Sequence, residues 1–265
     1  MTRQRSQLPT AYFDSGDGRF VLYHADCLDI LRSLADVDMI FADPPYFLSD
    51  GGITCHAGRM VSVDKGEWDR PPGVKEMHRF NREWLRACQN ALKDDGTIWV
   101  SGTQHVIYSI GLAMQELGFK LLNSVTWFKP NASPNLSCRY FTHSTETVIW
   151  AARSEKSKHY FDYQRMKEDA NGKQMRDLWV LPTTPRREKV HGKHPTQKPL
   201  ALLERIVLAG SREGDLIVDP FTGSSTTGIA AVVLGRRFIG MDTEEGYLAL
   251  SVKRYKAKVR QKELF

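Results

Sequence analysis

Leu216-Ile217-Val218-Asp219-Pro220-Phe221-Thr222-Gly223-Ser224-Ser225-Thr226-Thr227-Gly228 is the stretch on which the fold of this 265-residue chain is read. Three apolar residues ending in an acid read as a short buried strand, and Pro220 stops its hydrogen-bond ladder. The small residues that follow let a backbone approach a ligand closely. Gly228 to Gly235 then reads as a helix, whose start offers free N–H groups. The turn is not a Walker A loop, because the Gly-Lys-Ser/Thr ending is missing. The next apolar run, Arg237 to Asp242, ends in an acid 19 residues after Gly223, a spacing that suits a ribose diol. A tight turn that binds nothing is the plainer reading of the same residues.

Working outward, short apolar runs alternate with helical patterns. RFVLYHAD from Arg19 and DMIFADPPY from Asp38 read as strands, with a helix at CLDILRSLAD between them. Residues Phe47 to Pro72 are rich in glycine and read as an irregular loop. KEMHRFNREWLRACQNALK is an amphipathic helix, TIWVSGT a strand and HVIYSIGLAMQELG a helix closed by Gly118. FKLLNSVTWFK and TETVIWAAR form a strand pair around a polar loop. After a basic stretch come KPLALLERIVLAGS as a helix and, beyond the glycine loop, EEGYLALSVKRYKAKVRQ as a last helix. The alternation predicts an α/β fold: a doubly wound, mostly parallel sheet with one antiparallel strand pair. Ligands of such sheets bind beyond the carboxyl ends of the strands. Asp26, Asp43, Asp219 and Asp242 all stand at such ends, so they are expected along one edge.

The chain carries a net charge of +6, and its distribution is uneven. From Ala151 to Lys198 there are 12 Lys and Arg against 6 Asp and Glu, while the remainder is balanced at 25 each. That segment reads as a polyanion-facing surface or as a merely solvated basic loop. The first 18 residues are polar and read as a loose arm, with Arg3 and Arg5 as phosphate contacts. Four scattered cysteines without a CxxC pair, and eight histidines without HExxH, argue against zinc and against a disulfide framework. With no signal-like or membrane-length apolar run, the expected location is the cytoplasm. Trp84, Trp99 and Trp127 are expected in the core, and nothing marks Cys138 as reactive.

Asp43-Pro44-Pro45-Tyr46 ends the second strand. An exocyclic amine on a purine is a poor nucleophile, because its lone pair is delocalised into the ring. A carboxylate and a carbonyl that each accept one of its N–H groups can hold and rehybridise it. Asp43 and the Pro44 carbonyl supply that pair, and proline fixes the carbonyl direction by locking φ. An aromatic ring such as Tyr46 can stack on the base, a contact worth about 1–3 kcal/mol. The alternative is a proline-terminated strand with a surface tyrosine.

The combination of Asp43-Pro44-Pro45-Tyr46 with the Asp219–Gly228 loop resembles the amino-group DNA methyltransferases. The order, with DPPY first, the basic segment second and the glycine loop last, resembles their β class. His194-Pro195-Thr196-Gln197-Lys198-Pro199 is a further mark of that family. The likeness covers about residues 19 to 255. Ala42–Ser49, Val61–Asp69 and Asn135–Glu146 look like the DpnA type of N6-adenine methyltransferase, which belongs to restriction systems reading GATC and also accepts single-stranded DNA.

The resemblance implies a Rossmann-like S-adenosylmethionine-dependent methyltransferase fold. Residues 19–150 would be the catalytic half with DPPY, 151–193 a target-recognition insertion, 194–260 the cofactor-binding half, and 1–18 a flexible arm. Asp43, Pro44, Pro45 and Tyr46 would be catalytic. Asp26, Cys27, Asp43, Thr196, Lys198, Asp219, Phe221, Thr222, Gly223, Ser224, Thr226 and Asp242 would bind the cofactor. Within that set Asp219, Thr222 and Gly223 would line its methionine part, Asp242 would take the ribose hydroxyls and Lys198 would neutralise its carboxylate. Asp26 would accept from its adenine amino group or cap the helix at Cys27, and Lys198 reads equally as part of a basic DNA surface. DNA, duplex or single-stranded, would be the substrate, a homodimer the assembly, and no metal is implied. The target adenine would be flipped out and attack the methyl group directly. An N4-cytosine enzyme, which more often carries Ser at position 43, and a catalytically silent nucleic-acid-binding protein are the competing readings.

Overall fold

The computed structural model describes residues 8–47, 53–56, 59–62, 73–192 and 194–263. In chain order the elements are β1 (Phe13–Asp14), β2 (Phe20–His24), α1 (Cys27–Leu31), β3 (Val37–Ala42), β4 (Ile53–His56), β5 (Arg59–Ser62), α2 (Val74–Ala91), β6 (Leu92–Gly102) and α3 (Ile107–Leu117). Then come β7 (Lys120–Phe128), β8 (Thr145–Ala152), α4 (Tyr163–Asp169), β9 (Leu178–Val180), α5 (Leu200–Gly210), β10 (Leu216–Asp219), α6 (Thr226–Val233), β11 (Arg237–Asp242) and α7 (Glu245–Glu263). Nine strands form one sheet in the order β1-β2-β11-β10-β3-β6-β8-β7-β9. From β2 to β6 all neighbours are parallel. β8 runs against both β6 and β7, which is the expected antiparallel pair.

The sheet is covered on both faces because its strands are apolar on both. In β3, Ile40 and Ala42 join the cluster under α1, α2 and α3, with Trp84, Leu85 and Ile110. Met39 and Phe41 point the other way, into the cluster under α5, α6 and α7 with Leu203, Ile206 and Leu248. Such alternation places successive side chains on opposite faces. Trp84, Trp99 and Trp127 are all buried. Gly228 makes the close approach of α6 to the sheet possible: a Cβ there would lie 2.4 Å from the Phe238 ring.

Two expectations change. Residues 8–18 are not a loose arm. β1 pairs with β2, and the Phe13 ring meets Phe20 and Tyr255 edge-on, so burial of the aromatic holds the segment. Residues 1–7, with Arg3 and Arg5, lie outside the described residues. The stretch expected as an irregular loop holds the antiparallel pair β4–β5, consistent with the β-favouring Ile53, Thr54 and Val61. Residues 48–52, 57–58 and 63–72, Ser49 among them, lie outside the described residues, as does Lys193. The basic segment packs onto the nine-stranded sheet. β9 extends it beside β7, and Met166 and Trp179 are buried in the same core as α5.

Candidate active site

β3 and β10 are neighbours in the middle of the sheet, and the chain leaves them in opposite directions. α2 after β3 packs on one face and α6 after β10 on the other. A crevice opens at such a switch point. Four contiguous parallel strands deliver their acids there in the spatial order Asp26, Asp242, Asp219, Asp43. Asp26, Asp43 and Asp242 line one cavity of about 590 Å³, within the range of a small-molecule site. Cys27, Pro44, Pro45, Tyr46, Thr196, Phe221 and Gly223 line it too. Lys198, Asp219, Thr222, Ser224 and Thr226 line a small adjoining cleft with Asp43 and Gly223.

The glycine loop is pinned from several sides. Gly223 N–H donates to Asp242 Oδ2 at 2.8 Å, and the other oxygen of Asp242 accepts from Glu244 N–H at 2.9 Å. Asp219 accepts from Phe221 N–H at 3.0 Å and from the Thr227 hydroxyl at 2.7 Å. Gly223 has φ +48°, and a Cβ there would lie 2.8 Å from His194 Nε2, so only glycine fits without displacement. Asp26 caps α1, accepting from Leu28 N–H at 2.8 Å, and it also lines the cavity. Burial pushes Asp219 up to about 7, against the pull of Thr227 and Phe221. Burial likewise raises Asp242, and it pushes the Cys27 thiol to about 12, which leaves that thiol protonated.

Around DPPY lies a buried charge quartet. Asp43 Oδ1 accepts from the Tyr46 hydroxyl at 2.6 Å, and Oδ2 from Lys198 Nζ at 2.5 Å. Lys198 Nζ also lies 3.6 Å from Glu146 Oε2, and Lys129 Nζ lies 2.9 Å from Glu146 Oε1. Glu146 further faces the Tyr46 hydroxyl at 3.2 Å and Ser101 Oγ at 3.4 Å. Two carboxylates and two ammonium groups thus compensate one another out of water, which buried charges require. Burial alone would raise Glu146, but Lys198 and Lys129 outweigh it and hold its carboxyl at about 2. Burial raises Asp43, with Lys198 opposing. Lys198 is itself raised, because Asp43 and Glu146 overcome its burial. Lys198 therefore sits on the Asp43 carboxylate, and Tyr46 is buried with its hydroxyl on the same group.

Several of these residues escaped the sequence reading. Glu146 is one, since its partners Lys129, Lys198 and Tyr46 are far apart in the chain. Arg254 is another. Its buried guanidinium donates to the Ser224 carbonyl, to Ser224 Oγ at 2.9 Å and to Thr226 Oγ1 at 3.0 Å. Ser251 Oγ, one turn earlier, is 2.9 Å from the Gly223 carbonyl oxygen. Tyr247, Ser251 and Arg254 recur at helical spacing, a signal that could have been read. Phe80, Arg79 and Glu76 of α2 also line the cavity, and Phe80 stands 6.3 Å from the Phe221 ring.

The residues fit a cofactor with a nucleoside and an amino-acid end. The cavity has an apolar wall of Phe47, Phe80 and Phe221 and an acidic rim of Asp26 and Asp242. In the adjoining cleft Gln197 is buried, and its Oε1 has no hydrogen-bond partner among the described residues, an acceptor suited to an ammonium donor. No group of three or more His, Cys, Asp or Glu that could hold a metal occurs among the described residues.

A family model described as DNA methylase matches residues 37–253. The Type II methyltransferase M2.DpnII of Streptococcus pneumoniae is 54% identical over 243 residues, 91% of each chain. M2.MboI of Moraxella bovis is 50% identical over 246 residues, covering 92% of this chain and 90% of its own. Among solved structures, the complex of M1.HpyAVI with SAM superposes with a TM-score of 0.67 at 27% identity, covering 89% of this chain and 98% of that one.

Proposed function

Because the chain belongs to the DNA methylase family, we propose that it methylates the N6 amino group of adenine in GATC as the modification enzyme of a restriction system. It is an S-adenosylmethionine-dependent DNA methyltransferase. The observation that carries the adenine reading is the carboxylate of Asp43. It is fixed by Tyr46 and Lys198 at the strand end, where the cofactor cavity and the cleft meet. The cofactor supplies an activated methyl group. Asp242 and Asp26 hold its nucleoside end, and Gly223, Thr222, Thr226, Ser224 and Gln197 its amino-acid end. Asp43 and the Pro44 carbonyl accept the two N–H groups of the target amine and aim its lone pair. Catalysis is then largely orientation.

Lys198 keeps Asp43 ionised and correctly turned, so it acts through the carboxylate. The target nucleotide leaves the helix to reach the site, and Tyr46 flanks the base. The basic segment supplies the phosphate-facing surface. The proposal includes a homodimer and acceptance of single-stranded DNA. No helix among the described residues is long and apolar enough to cross a membrane.

The test is transfer from tritiated S-adenosylmethionine to matched duplexes with and without GATC, followed by nucleoside analysis. N6-methyladenine confined to the GATC duplex is expected. Label in both refutes the sequence assignment, and N4-methylcytosine refutes the adenine reading. Single-stranded GATC in parallel, and sedimentation of the free enzyme, test the remaining parts.

A further inference from the structure

Residues 129–144 join β7 to β8 on the edge of the sheet that carries Asp43, because β7 runs in the same sense as β6 and β3. The segment is shaped by its own hydrogen bonds. Asn135 Nδ2 donates to the Tyr140 carbonyl at 2.6 Å, and Asn135 Oδ1 accepts from Ser137 N–H at 3.0 Å and from the Ser137 hydroxyl at 2.9 Å. Closed in this way, the loop leaves Tyr140 60% and Phe141 95% exposed. Tyr140 rests on His143 at 5.2 Å. His143, Lys129 and Glu146 line a second cavity of about 580 Å³. Glu146 is thus shared between that cavity and the Tyr46 hydroxyl of the catalytic quartet.

The surroundings are basic. Asn131 and Thr183 exchange hydrogen bonds at 3.0 and 2.9 Å, tying the base of the loop to the chain that leads into exposed Arg186 and Arg187. Arg139 is exposed two residues before Phe141. A bare aromatic ring among cations, on the catalytic edge, matches a stacked polyanion in charge and in shape.

We infer that Phe141, with Tyr140 beside it, is the wedge that enters duplex DNA when the target nucleotide leaves the stack. Flipping empties one stacking layer, and an inserted apolar ring recovers part of the lost contact. Phe141 is five residues from Glu146, at most about 17 Å along the chain, so the wedge and the quartet serve neighbouring nucleotides. Arg139, Arg186 and Arg187 hold the flanking phosphates. The inference rests on the methyltransferase reading above.

The full-length Phe141→Ala and Phe141→Trp variants are assayed with tritiated S-adenosylmethionine on three forms of one GATC sequence. These are a matched duplex, a duplex with an abasic site opposite the target adenine, and a single strand. With Ala, methylation of the matched duplex is expected to fall about tenfold or more, while every other form that the wild type accepts stays within about twofold. Trp restores the matched duplex. Equal loss on all accepted forms, or no loss on the matched duplex, overturns the wedge. Conversion of a dimer to a monomer by the Ala variant also overturns it, by assigning the ring to an interface between copies. Wild-type protein that labels none of the three refutes the methyltransferase reading, and the wedge with it. Phe141 is exposed, so its truncation leaves the fold intact, which unchanged cofactor affinity verifies.

Discussion

Replacing Glu146 by Gln tests the charge quartet directly. The side chain is 13% exposed and faces two ammonium groups, Lys129 Nζ at 2.9 Å and Lys198 Nζ at 3.6 Å. Gln keeps the shape and removes the charge, leaving two buried cations against Asp43 alone. The native carboxyl stands at about 2 against an ordinary 4.5, pulled down by Lys198 and Lys129 against its burial. At 1.36 kcal/mol per pKa unit the depression stabilises the native state by about 3 kcal/mol. Breaking a buried pair by removing one partner costs about 3–5 kcal/mol, which agrees. For a chain of this length that corresponds to about 5 °C in Tm. The sign follows from the depression: the contribution is complete above pH 4.5 and is lost as pH falls from 4.5 towards 2. Glu146→Gln should therefore be destabilised by about 3 kcal/mol at pH 7, and by less than half of that near pH 3. Urea midpoints of both proteins from pH 7 to pH 3 measure this. A gap of the same size at pH 7 and pH 3, or no gap at pH 7, refutes the ionised quartet.

Asp43→Asn removes the carboxylate proposed to accept the target amine and should lower kcat at least about 100-fold, measured by single-turnover methyl transfer on duplex DNA. Arg254→Met leaves the Ser224 carbonyl and the Ser224 and Thr226 hydroxyls without their shared donor. It should cost about 2–3 kcal/mol of stability and weaken cofactor binding measured by calorimetry, with Arg254→Lys recovering part of both. Asp219→Asn keeps the bond from Phe221 N–H on Oδ1, reverses the other so that the amide donates to the Thr227 hydroxyl oxygen, and removes a carboxyl that burial has raised to about 7. A raised carboxyl costs the native state stability as pH climbs from the ordinary 3.8 towards 7. The variant should therefore match the wild type near pH 4 and melt higher at pH 8, and an identical pH profile would contradict the burial argument.

The local chemistry of this protein was legible because it is written in contiguous residues. The continuous apolar run of β3, as a strand buried on both faces requires, and the helical spacing in α5 show which elements form. The proline corner at Asp43 and the small residues from Thr222 to Ser225 show their backbone demands directly. Asp26, Asp43, Asp219 and Asp242 were recognisable as strand-end acids from the elements alone. Their order across the edge was not. The chain runs 26, 43, 219, 242, whereas the sheet places 26, 242, 219, 43, because β11 and β10 insert between β2 and β3.

What only the tertiary structure decided is pairing across long separations. Lys198 reads in the sequence as a cation for a ligand or for DNA, yet it lies 2.5 Å from Asp43, 155 residues away. Glu146 reads as one polar residue of a strand, and becomes the partner of two lysines only when β7, β8 and the chain before α5 converge. Arg254 reads as one of many cations on a basic helix, and its grip on Ser224 exists because α7 folds back over the glycine loop. Residues 8–18 look like a polar arm until Phe13 finds Phe20 and Tyr255. Sequence periodicity reports which face of an element is buried. Which charge meets which is set by the three-dimensional path of the chain, because a charge removed from water must be compensated by whatever partner the fold brings within reach.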